Sequence, residues 1–148
     1  MKSHKNVDYA LTIAQLRDLQ LASSRQRQAA LQAAVTQADR ELAEARQTTA
    51  AHVSLAQTSM DQGTTLDKLL NGRAAIAHVM HLERNAEQAS RQAQDERDAH
   101  SSSLKRSVAQ AEAAQRLLER QRKRARAVQA ERQQMTMEEL LVHRRKPT

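Results

Sequence analysis

The chain has 148 residues, 24 Lys+Arg against 17 Asp+Glu and a formal charge of +7, which is enough for one small module and too little for two globular domains. Its 39% apolar share is made of 27 Ala but only 25 Leu, Ile and Val, with five Met, one Tyr and no Phe or Trp, and this excludes a thick globular core. One Pro and two Gly argue against disorder, so an all-α chain rich in Ala, Gln, Arg and Glu is what remains, and the lack of Cys excludes disulfides and thiolate zinc sites.

Residues Met1 to Gln15 carry Lys2 and Lys5 but no apolar h-region, and no window approaches 18 apolar residues. Direct membrane insertion is therefore not expected. Gly63 and Gly72 bracket a hinge at 61–72 and Pro147 closes a basic tail at 144–148, leaving two uninterrupted stretches that read as helices over about 7–60 and about 73–143. In the first, Leu31, Val35, Ala38, Leu42, Ala45 and Thr49 recur at spacings of four and three, the seam of a coiled coil. Inside the hinge, Thr64 to Gly72 reads as a helical turn with a Thr N-cap and a Gly stop. The second long helix repeats the seam with Leu104, Val108, Ala111, Ala114, Leu118 and Ala125. So many Ala positions predict close but weak packing, because a methyl buries little area at about 25 cal/mol per Å².

Two such helices bury their stripes most simply as a two-helix antiparallel coiled-coil hairpin, with arms of about 80 Å and 105 Å at about 1.5 Å per residue. A single bent helix and a parallel homodimer stay open as alternatives. If residue 60 faces residue 73, paired numbers add to about 133. Leu16 and Leu19 then fall near Leu117 and Ala114, and Val53 near Met80. Charge is segregated: residues 1–100 hold 12 basic and 12 acidic side chains, and 101–148 hold 12 and 5. The densest run includes Arg120, Arg122, Lys123, Arg124 and Arg126.

Enzyme signatures are absent. The two glycines are nine apart and Gly72 is followed by Arg73, so there is no phosphate-cradling P-loop. His78 and His81 share a helix face without a third ligand in phase, and no metal or other cofactor is expected. Ser101 to Ser103 near His100 and Asp98 lack the pocket that nucleophilic catalysis needs, and Asp95-Glu96 and Glu138-Glu139 lack walls to tune a carboxyl. Leucine-zipper factors place their basic region before the heptads, whereas here it follows them, and base-stacking aromatics are missing. Nucleic acid is thus not the expected partner, and a basic coiled-coil nucleic-acid-binding or scaffold protein is the alternative reading.

The segment Ile13-Ala14-Gln15-Leu16-Arg17-Asp18-Leu19 resembles the opening helix of the stalk proteins of flagellar and type III secretion export machines, the FliJ/YscO family. The ending Glu138-Glu139-Leu140-Leu141-Val142-His143-Arg144-Arg145 resembles the Glu-Glu-apolar-Leu-x-His-basic-Arg close of the injectisome branch, and Arg145-Lys146-Pro147 is similar to the flagellar ending. Length, midpoint hinge and the Thr64-Thr65-Leu66 turn agree with the family, whereas the aromatics its members carry near the hinge are missing here.

The resemblance implies a cytoplasmic, non-enzymatic central stalk, peripherally associated with the inner-membrane secretion apparatus. Its termini-bearing end would insert into the hexameric export ATPase, its hinge end would reach the export gate membrane protein, and some members also handle secretion chaperones. Carried onto this chain, the ATPase contacts are Arg120, Arg122, Lys123, Arg124 and Arg126, with Leu16 and Leu19 holding the termini together and Glu139, Leu140 and Arg144 from the C-terminal motif. The gate contacts are Ile76, Val79, Met80 and Leu82.

Overall fold

The computed structural model describes the backbone of residues 2–144 and the side chains of residues 5–141. Two helices, α1 (Lys2–Asp61) and α2 (Leu66–Arg144), pack against each other as an all-α antiparallel hairpin, with no strand among the described residues. No Pro or Gly interrupts α1, and its Ala, Gln, Arg, Leu and Glu are strong helix formers.

The hinge is shorter than the glycine spacing suggests. Only residues 62–65 lie outside the helices, not 61–72, and α2 starts at Leu66 rather than near residue 73. The two glycines differ in kind. Gly63 has φ 77°, the left-handed conformation that ends helices, and its N–H donates to the Met60 carbonyl at 3.3 Å while Gln62 N–H donates to Thr58 at 3.2 Å. Gly72 has no such backbone and lies within α2, where a helical glycine costs about 1 kcal/mol against Ala, too little to stop a packed helix. Thr65 takes the N-cap position, its carbonyl accepting the first α2 rung from Leu69 N–H at 3.1 Å. Beside it the Thr64 hydroxyl donates to the Ser59 carbonyl, tying the turn to the last turn of α1.

The chain divides into two compact units, a terminal unit of Met1–Ser24 with Leu104–Thr148 and a hinge unit of Arg25–Ser103. In the hinge unit, Thr49 Oγ1 donates to the Ala45 carbonyl at 3.0 Å and reaches the Val79 carbonyl at 3.5 Å, so facing residue numbers add to 128. The expected sum near 133 is corrected by the earlier start of α2. Seam positions repeat every seven residues, through Val35, Leu42, Thr49 and Ala56 on α1 and Leu69, Ile76 and Glu83 on α2, all buried or half-buried. Where the seam turns polar, it is laced by hydrogen bonds. Ser90, buried at 3% exposure, donates from Oγ to Asp39 Oδ1 at 2.6 Å, and Gln94 Nε2 donates to the same oxygen at 3.3 Å. Arg46 and Glu83 form an ion pair of 3.8 Å across the helices, of minor energetic weight because both side chains meet solvent.

In the terminal unit, Ala10, Ala14, Ala114 and Leu118 form the core, with Val7, Leu11 and Ile13 packed against it. With Ala111, also buried in this unit, four of its five buried residues are Ala. Burying Leu118 contributes about 1.5–3 kcal/mol and each methyl about 0.8 kcal/mol, which makes Leu118 the largest single anchor of this unit.

Candidate functional site

Leu16 and Leu19 do not hold the termini together. They are 53% and 69% exposed, and Leu117 is also exposed, whereas Ala14 is 1% exposed and faces Ala114 and Leu118. The reason is helical phase: counting back in sevens from Leu42 through Val35 and Leu21 arrives at Ala14 and Val7, and a residue two places on points to the far side. The flank of this core is polar. Arg17 donates to Gln110 Oε1 at 2.9 Å, and Gln115 donates to Asp18 Oδ2 at 2.8 Å.

Beyond this core, α2 carries the basic run. Gln121 and Ala125 keep the seam phase and are half-buried, which turns Arg120, Arg122, Lys123, Arg124 and Arg126 outward, all exposed. None of the five forms an ion pair with another described residue. From Ala127 to Leu141 every residue of α2 is exposed, including Met135, Met137, Leu140, Leu141 and the predicted contact Glu139. Arg144 ends α2, but its side chain lies outside the described residues, as does the whole of Arg145-Lys146-Pro147. The terminal unit thus presents a cationic helical surface followed by an apolar and acidic one.

The four predicted gate residues are split by the heptad. Val79 is buried at 7% exposure and Ile76 half-buried, both on the seam, while Met80 and Leu82 are exposed. Val53, expected against Met80, also faces outward rather than pairing with it. The larger apolar surface of this unit went unnoticed in the sequence: Leu55, Met60, Leu66 and Leu70 are all more than half exposed around the hinge. Several of these edge an apolar groove of about 530 Å³ between the ends of the two helices. The signal for it was available, since Ala56, Gly72 and Ala75 supply only small side chains to its lining.

No group of three or more His, Cys, Asp or Glu that could hold a metal occurs among the described residues, and no described helix is long and apolar enough to cross a membrane. His81 Nε2 lies 3.3 Å from Asn85 Nδ2, one turn further along α2. No protein-family model, curated protein or solved structure matches the chain.

Proposed function

We propose that the chain is a non-enzymatic stalk protein of a bacterial type III secretion export apparatus. On this reading its terminal unit docks on the hexameric export ATPase, its hinge unit meets the export gate, and secretion chaperones are further partners. What carries the reading is the set of five outward cations, Arg120 to Arg126, on the unit that contains both helix ends, together with the resemblance of Ile13–Leu19 and Glu138–Arg145 to the stalk family. Exposed cations without an ion-pair partner among the described residues act through long-range attraction, which suits docking on an acidic protein surface. An asymmetric two-helix element that touches several equivalent ATPase subunits unequally biases their assembly and nucleotide states without performing chemistry. For the gate, Met80 and Leu82 are the available contacts, and Ile76 and Val79 support them from the seam.

The test is a binding titration of the fluorescently labelled chain with an export ATPase at rising salt, alongside duplex DNA. Docking predicts ATPase binding that weakens with ionic strength and stimulates ATP hydrolysis. Binding to DNA with a steep salt slope and no ATPase association would support the nucleic-acid alternative instead.

A further inference from the structure

The hinge groove has a composition that specifies its occupant. Its walls are aliphatic, from Leu55, Met60, Leu69 and Ile76, and its only ionic side chains are Lys68 and Arg73, with no acidic residue lining it. At Gly72 the floor is open, since a Cβ added there would meet nothing within 4 Å. The groove encloses about 530 Å³. Aliphatic walls edged by two cations suit the apolar face of an amphipathic helix, which presents its anchors at positions i, i+3 or i+4, and i+7.

We propose that the hinge groove is a docking site for an amphipathic helix of a partner protein, with aliphatic residues on the inserted face and Asp or Glu on its flanks to meet Lys68 and Arg73. An anionic bilayer is the less suitable occupant. Lys68 and Arg73 line a concave groove, where the flanks of an inserted helix reach them, whereas a flat bilayer surface would meet Asp61 and Asp67 of the same hinge region together with them. The site does not depend on the stalk reading, because the experiment below contains no export protein.

The probe is a labelled helical peptide of about 20 residues with Leu at the anchor positions and Glu on both flanks, compared with a twin bearing Lys in place of every Glu. Fluorescence anisotropy with the full chain should show saturable binding of the Glu peptide, about tenfold tighter than the Lys twin. Gly72→Leu adds a side chain to the floor at a helical position where a Cβ meets nothing within 4 Å, and it should abolish binding while circular dichroism stays unchanged. Lys68→Glu with Arg73→Glu should reverse the preference between the twins. Equal binding of both twins, no binding of either, binding that survives Gly72→Leu, or association with phosphatidylglycerol vesicles in place of the peptide would overturn the proposal.

Discussion

Ser90 Oγ donates a 2.6 Å hydrogen bond to Asp39 Oδ1 across the two helices, and Ser90 is the one polar residue among the described residues that is buried outright. In a seam dominated by Ala, this carboxylate-assisted bond both satisfies a buried hydroxyl and holds the facing numbers in register. Asp39→Ala should cost about 1–2 kcal/mol, and a double-mutant cycle with Ser90→Ala should return a coupling of about 1 kcal/mol, measured by urea unfolding. Simple additivity of the two substitutions would show that the bond contributes nothing to stability.

The two glycines are predicted to respond to alanine with opposite signs. At Gly63, φ 77° places an added Cβ in the left-handed region, so Gly63→Ala should destabilise by about 1 kcal/mol. Gly72 is helical with open space around it, and Gly72→Ala should stabilise by up to about 1 kcal/mol. Thermal melts of the two variants, recorded side by side, check the sign of each.

Helical phase makes a third prediction. Val79→Asp places a carboxylate in the seam and should cost more than about 2 kcal/mol, whereas Met80→Asp and Leu82→Asp should stay within about 0.5 kcal/mol. A loss of gate binding in the Met80 or Leu82 variant therefore reports recognition, and the same loss in the Val79 variant reports unfolding. Similar melting temperatures for all three would contradict the assigned seam.

In the terminal unit the order of sensitivity should be the reverse of side-chain size. Leu16→Ala and Leu19→Ala remove exposed side chains and should cost less than about 0.5 kcal/mol, while Ala14→Leu overfills the contact with Ala114 and Leu118 and should cost about 1–3 kcal/mol.

The hairpin was readable from composition and from the spacing of Leu31, Val35 and Leu42, because a repeat of seven survives any error in its ends. The register was not readable, since it depends on which glycine stops a helix, and that is set by the left-handed turn at Gly63 rather than by glycine as such. The placing of Leu16 and Leu19 opposite Leu117 and Ala114 rested on that same register, whereas the repeat of seven extended back through Leu21 arrives at Ala14. The basic run Arg120 to Arg126 was readable as a concentration of charge at one end of the sequence, and the structure turns all five side chains outward. The hinge groove escaped notice because it is made by small residues, which leave space without leaving a motif.

The central claim is that the basic run docks the terminal unit onto an export ATPase, and one triple variant tests it most directly. Arg122→Glu, Lys123→Glu and Arg124→Glu lie outside the seam and exchange residues of similar helix propensity, so the hairpin should stay folded by circular dichroism. Surface plasmon resonance against the ATPase should then show a lower association rate, a flatter salt dependence and a parallel loss of ATPase stimulation. Unchanged ATPase binding and salt dependence, together with lost affinity for duplex DNA, would contradict the account and move the basic run to nucleic-acid recognition.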